Sequence, residues 1–152
     1  MKLSLVKKSM VLLAGLGLMT LVSEGVSTAQ SQLPNPSIMF VGQEFYETGG
    51  KQFTRYRYRV DNPEAYPNEL FAAAPDLPPC GANTKASRTW VDIYDSTGKR
   101  LNGFCALGNT TDLGQLWFAT DRDAIPPSWI YIEFTDRKTG TKYKSALAET
   151  TM

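Results

Sequence analysis

From Phe53 to Val60 the chain alternates without a break: Tyr56, Tyr58 and Val60 fall on one side of an extended backbone, and Arg55, Arg57 and Arg59 on the other. Successive side chains of a β-strand point to opposite faces, so this octet describes a half-buried strand with one dry face and one wet face. Thr89 to Asp95 repeats the period, with Val91 and Ile93 on one face and Trp90, Asp92 and Tyr94 on the other. Apolar residues at helical spacing are almost absent beyond residue 30, so the chain must bury its apolar surface between sheets.

Turn chemistry divides the remaining strand candidates. Ile38 to Val41 is a short first strand after the Pro-rich start Leu33-Pro34-Asn35-Pro36, and Phe53–Val60 is the second. Residues 61–86 lose all periodicity at Pro63, Pro67, Pro75, Pro78 and Pro79, with Asn68 placed to cap one short helical turn through Ala74. Thr89–Asp95 and Arg100–Leu107 flank Asp95-Ser96-Thr97-Gly98 as a hairpin, and Gly108–Asp112 forms a second loop before a short strand at Leu116–Ala119. Trp129–Thr135 and Lys142–Ala148 enclose the turn Asp136-Arg137-Lys138-Thr139-Gly140 as a second hairpin. About seven short strands of this kind predict an all-β fold, a two-sheet antiparallel sandwich.

The amino end reads differently from the rest. Lys2, Lys7 and Lys8 precede an apolar run of 13 residues, Met10 to Val22, and the small residues Ser27 and Ala29 stand at −3 and −1 of a cleavage site before Gln30. The run is short of the roughly 20 residues a spanning helix needs, so residues 1–29 are expected to be a cleaved secretory signal peptide and residues 30–152 a single exported domain. The mature domain holds 13 basic and 14 acidic residues, and all 17 aromatics fall within its 123 positions. A near-neutral surface gives no electrostatic basis for nucleic-acid binding, which relies on clustered Lys and Arg. Secretion or release to the periplasm is the expected localisation, with no membrane span in the mature form.

Export decides how the two cysteines are read. Oxidising compartments let thiols pair, so Cys80 and Cys105 are expected to form one disulfide, and no Cys-x-x-Cys spacing points to redox chemistry. The sequence contains no histidine, which removes His-dependent triads, Cys-His dyads and imidazole-ligated metals, and no cofactor is implied. An enzyme would have to work with carboxylates such as Asp92, Asp121, Asp123 and Glu133. Asp121-Arg122-Asp123 and Asp95-Ser96-Thr97-Gly98 could offer oxygens to Ca²⁺, yet neither completes an EF-hand loop, and Asp and Gly open and close tight turns without metal. Asn109-Thr110-Thr111 fits the N-glycosylation pattern.

Ile125-Pro126-Pro127-Ser128-Trp129-Ile130-Tyr131, followed by the strand Ile132–Thr135 and a Gly-containing hairpin to Tyr143-Lys144-Ser145, resembles the last two strands of fibronectin type III domains. The resemblance covers residues 125–148 and implies a fibronectin type III or immunoglobulin-like sandwich. Tyr131 would then carry the tyrosine corner, its hydroxyl bonded to backbone a few residues upstream. The tryptophan usual on the second strand of such domains is missing, because Tyr56 and Tyr58 occupy that stretch.

Two residue sets are candidates for ligand contact. Arg55, Arg57 and Arg59 are either a solvated outer face paired with carboxylates of a neighbouring strand or an anion-binding stripe. Trp90, Tyr94, Trp117 and Trp129 are the aromatic set. Trp90 is expected in the core as in related sandwiches, Tyr94 shares its strand face, and Trp117 fits either core or surface. The expectation is a non-enzymatic binding module, secreted or periplasmic, that engages an extracellular or envelope protein or glycan through its loops, chiefly the 61–86 segment. A small carbohydrate-binding or carbohydrate-active protein and a structural envelope component are the alternatives.

Overall fold

The computed structural model describes residues 33–80, 86–107 and 112–150. The expected signal segment and cleavage site, and the Asn109 sequon, lie outside these residues. The described residues carry eight strands: β1 (Ile38–Thr48), β2 (Lys51–Val60), β3 (Thr89–Asp95), β4 (Arg100–Ala106), β5 (Leu116–Asp121), β6 (Trp129–Asp136), β7 (Lys142–Lys144) and β8 (Ala148–Glu149). They form two antiparallel sheets, β1-β2-β5 and β4-β3-β6-β7, with β8 also paired to β6. This is the all-β sandwich that the alternation implies.

The dry faces of the two sheets meet. Tyr56, Tyr58 and Val60 of β2, with Leu116 and Phe118 of β5, oppose Val91 and Ile93 of β3 and Ile130, Ile132 and Phe134 of β6. Rings dominate the first sheet's share: Phe118 stacks on Tyr56 at 5.1 Å and on Tyr58 at 6.1 Å, and Phe40 meets Tyr58 edge-on at 5.4 Å. Each fully buried side chain of this size stabilises the fold by about 1.5–3 kcal/mol through removal from water. Burial pushes the Tyr58 phenol up to about 12, against a smaller opposing influence from the neighbouring Thr150 hydroxyl.

The 61–88 connection carries the chain from the first sheet to the second and closes one end of the core. Tyr66, Leu70 and Phe71 are buried there, with the Tyr66 ring edge-on to Phe134 at 5.3 Å and its hydroxyl donating to the Pro34 carbonyl at 2.9 Å. The helical turn expected through Ala74 is instead two 3-10 turns, Pro63–Ala65 and Asn68–Leu70. Asn68 caps neither one with its side chain, because Pro67, not Asn68, stands at the second turn's cap and Leu70 is pulled into the core.

Several bonds fasten this segment to the second sheet. Cys80 and Cys105 lie at disulfide distance, their Cα atoms 5.9 Å apart. The Arg137 guanidinium donates to Cys80 Sγ at 2.8 Å, the Ser87 carbonyl at 2.8 Å and the Pro78 carbonyl at 2.7 Å, while Lys138 pairs with Asp76 at 3.3 Å. Thr89 Oγ1 donates to the Leu70 carbonyl at 2.6 Å.

Two strand boundaries depart from the local pattern. The first strand runs to Thr48 rather than Val41, because β2 supplies its hydrogen-bond partners even where β1 itself is polar. The expected strand Lys142–Ala148 divides into β7 and β8, since the Ser145 backbone and hydroxyl turn to bond Ile132 and the chain leaves the ladder between them.

Candidate functional site

The outer face of the first sheet owes its composition to one extra residue in β1. Pairing runs Ile38 to Val60, Met39 to Arg59 and Phe40 to Tyr58, then resumes at Gly42 opposite Arg57, leaving Val41 as a bulge. A bulge of one residue reverses the parity of everything beyond it. Ile38 and Phe40 therefore pack against the core, whereas Gly42, Glu44 and Tyr46 share the wet face with the arginines. Gly42 adopts φ +150°, a backbone setting that residues with a Cβ rarely take.

Glu44 stands directly opposite Arg55, and Tyr46 opposite Phe53, stacked at 5.4 Å. Arg55 Nη1 donates to Glu44 Oε1 at 2.8 Å, and its guanidinium lies 4.6 Å from the Tyr46 ring centre and 4.7 Å from that of Trp117. Arg55 thus spans three strands, held by a charge-assisted bond and two cation–π contacts. Its Nε is buried without a hydrogen-bond partner. Arg57 faces Trp117 across the β2–β5 ladder and reaches Glu44 Oε2 only at 3.7 Å, beyond hydrogen-bond length.

Glu44, Arg55, Arg57 and Trp117 line a concavity of about 470 Å³ with Gly114, Gln115 and Leu116. Trp117 is 37% exposed there, while its neighbours Leu116 and Phe118 are fully buried. Two guanidiniums and one carboxylate leave the concavity with a net charge of +1. It is therefore suited to an anion with an apolar surface beside it.

Of the expected arginine stripe, only Arg55 and Arg57 converge. Arg59 sits toward the end of β2, outside the concavity, 3.7 Å from Asp61 and with its Nε 3.0 Å from Met39 Sδ. Glu44 and Gln115 carry no distinguishing motif; the parity switch at Val41 brings in the first, with Tyr46 beside it against Arg55, and the distant β5 pairing the second.

The outer face of the second sheet holds Trp90, Tyr94 and Tyr131, with Trp129 41% exposed at the start of β6. Trp90 is not in the core: Val91 and Ile93 are fully buried against β6, and parity turns Trp90 outward, beneath Arg100 at 5.5 Å. Tyr94 stacks on Tyr131 at 5.1 Å, and burial together with Asp92 and Glu133 raises its phenol. Tyr131 likewise faces outward, with Lys144 Nζ 3.9 Å from its ring centre, and no backbone bond to its hydroxyl occurs among the described residues. The expected corner differs because alternation gives the core positions to Ile130 and Ile132 on either side.

Two of the four carboxylates considered for catalysis are paired with cations. Asp92 and Glu133 are cross-strand neighbours, but Arg100 Nε bonds Asp92 at 2.5 Å and Lys142 bonds Glu133 at 2.7 Å. Asp121 and Asp123 border a shallow concavity of about 370 Å³ with Lys51, Gln52 and Arg122. Asp95 Oδ1 accepts from the Thr97 backbone at 2.9 Å, the Thr97 hydroxyl at 2.6 Å and the Lys99 backbone at 2.9 Å. Those bonds, the hydroxyl's first, lower its carboxyl below the usual range and close the hairpin turn. Among the described residues no group of three or more Asp, Glu or Cys could hold a metal ion, and no helix is long and apolar enough to cross a membrane.

No protein-family model, curated protein or solved structure matches this chain.

Proposed function

We propose that this protein is an exported, non-catalytic binding module that contacts its ligand through the outer face of the three-stranded sheet. The observation that carries the proposal is the convergence of Arg55, Arg57, Trp117 and Glu44 on one concavity. Three of these four had reasons to bind a ligand from residue type alone. The cleft is mostly polar, and sets one exposed indole beside incompletely neutralised guanidiniums, an apolar face next to hydrogen-bond donors.

The 61–86 segment is less suited to the role. Its largest side chains, Tyr66, Leu70 and Phe71, fill the core, and the Arg137 bonds hold Pro78 and Cys80 in place. The cysteine pair at disulfide distance is compatible with an oxidising, extracellular or periplasmic setting.

The strand order also supports the resemblance to immunoglobulin-like and fibronectin type III domains. If β1, β2 and β5 correspond to strands A, B and E, then β4-β3-β6-β7 follows the order C′-C-F-G. Such folds host many functions, so the binding role rests on the cleft and not on the architecture.

Arrays of neutral and acidic glycans and peptides, probed with wild-type mature protein, test the proposal. Paired R57A/W117A substitution should weaken any bound probe about tenfold or more, whereas E69A/D76A in the connecting segment should leave it unchanged. Loss of binding with the E69A/D76A variant alone, or no bound probe of any class, would refute it.

A further inference from the structure

We infer that the ligand of this cleft is an acidic glycan, recognised through a uronic acid ring whose carboxylate lies on Arg57 and whose C–H face lies on the exposed part of Trp117 that Arg55 leaves uncovered. The inference rests on the binding reading above and names the ligand class of that same site.

Charge distribution comes first. Arg55 is committed: Glu44 holds its Nη1, two rings hold its guanidinium plane, and only a third of its side chain is exposed. Arg57 is not. Half its side chain is exposed, and its nearest carboxylate oxygen, Glu44 Oε2, is 3.7 Å away on a group whose Oε1 already binds Arg55. Its planar donors remain free for a planar carboxylate, which a guanidinium binds through two parallel hydrogen bonds.

Spacing comes next. Arg57 and Trp117 are direct cross-strand partners on one face, which sets their Cβ atoms about 4.5–5.5 Å apart. A uronic acid carries its carboxylate on the rim of a ring whose face is lined with C–H bonds, so one residue of the glycan can meet both groups at this separation. Gln115, exposed on the same wall, offers an amide to a hydroxyl. The volume of about 470 Å³ falls within the range of small-ligand sites and admits more than one sugar ring.

An acidic peptide is the competing occupant, and one side-chain bond disfavours it. β5 is an edge strand, the position at which an extended peptide would add through main-chain bonds. Asn102 Nδ2 already donates to the Trp117 carbonyl at 2.7 Å, covering that edge beside the cleft. That bond removes the edge acceptor nearest the cleft and favours a ligand held by side chains, which suits hydroxyls and a carboxylate on a ring.

Titration of intrinsic tryptophan fluorescence with tri-galacturonic acid, neutral tri-galactose and tetra-glutamate tests the inference on full mature protein. The acidic trisaccharide should bind at least about tenfold more tightly than the other two, weakening as salt is raised. R57A should lose about tenfold, and R57K should lose part of that because a lysine keeps the charge without the fork. Arg57 is half-exposed, so thermal melting of both variants should match wild type within error.

Equal binding of tri-galactose, abolished by W117A, would overturn the acidic-sugar assignment while leaving the binding face intact. Equal or tighter binding of tetra-glutamate, or tri-galacturonate binding indifferent to R57A, would also overturn it. If no probe binds up to ~10 mM, the assignment fails, and the array experiment alone then decides the broader reading.

Discussion

Asp136 offers the sharpest test of how this sandwich is held together. It is only 3% exposed and accepts two parallel bonds from Arg88, Nε to Oδ1 at 2.9 Å and Nη2 to Oδ2 at 2.7 Å. The Lys138 backbone N–H adds a third bond at 3.0 Å and the Thr139 hydroxyl a fourth at 2.9 Å. The carboxylate thereby joins the entry to β3 with the β6–β7 turn, beside the Arg137 N–H that donates to the Arg88 carbonyl at 2.8 Å. Arg88, ahead of the two turn bonds, holds the Asp136 carboxyl down from 3.8 to about 2, against a burial that would raise it. Such a displacement corresponds to roughly 2 kcal/mol favouring the folded state when the group is ionised.

The sign follows from the direction of that displacement. A carboxyl depressed on folding stabilises the fold in full above its unfolded value of 3.8, and the contribution is lost as pH falls toward about 2. Urea unfolding followed by tryptophan fluorescence should find D136N weaker than wild type at pH 7, by an amount that shrinks by roughly 2 kcal/mol as the pH is lowered from about 5 to about 2. R88A leaves the carboxylate with the turn donors and a path to water, so its cost at pH 7 should be about 2–3 kcal/mol, below that of a fully sealed unpaired charge. A wild-type to D136N difference that stays constant across this range would refute the reasoning, because the lost stability would then owe nothing to ionisation.

Two further outcomes follow from the same structure. Reducing the Cys80–Cys105 link, whose partners are 25 residues apart in sequence, should lower unfolding stability by roughly 3.5 kcal/mol on a chain-entropy basis, measured by urea denaturation with and without reductant. A loss under ~1 kcal/mol would mean that the Arg137 bonds suffice to pin the segment. G42V should cost about 1–3 kcal/mol, because a β-branched residue resists φ +150°, and should shift the Arg55–Glu44 pair, read by thermal melting and by ligand affinity together. Unchanged melting and affinity would show that the bulge tolerates an ordinary backbone.

The strands with one dry face were legible, and for a physical reason: burial on one side writes a period of two into the residues themselves. β2, β3 and β6 obey it, each alternating buried with open positions. β1 also alternates, half-buried with exposed, as far as Tyr46. Its second half lies at a sheet edge beyond a bulge with no fully buried position, and Gln43, Glu44 and Glu47 interrupt any apolar period, so its pairing with β2 specifies it. Periodicity also sets parity without setting direction. In β3 the two faces were both plausible cores, and the aliphatic pair Val91 and Ile93 won because it meets Ile132 and Phe134 of β6 across the ladder, leaving Trp90 to Arg100.

At the candidate site the residue types were visible and the assembly was not. Arg57 and Trp117 are 60 positions apart and meet only through the β2–β5 ladder, a pairing that no local pattern announces. Register then separates the two outer faces by charge accounting. On the second sheet each cation has its own carboxylate or ring: Arg100 with Asp92 and Trp90, Lys142 with Glu133, Lys144 with Tyr131. On the first sheet the parity reversal at Val41 delivers a single carboxylate, Glu44, to two arginines, and Arg55 takes the shorter bond. Arg57 is left with an unmatched charge next to an exposed indole, and that inequality, set by one bulged residue, makes this face the one with affinity to spare for an anion.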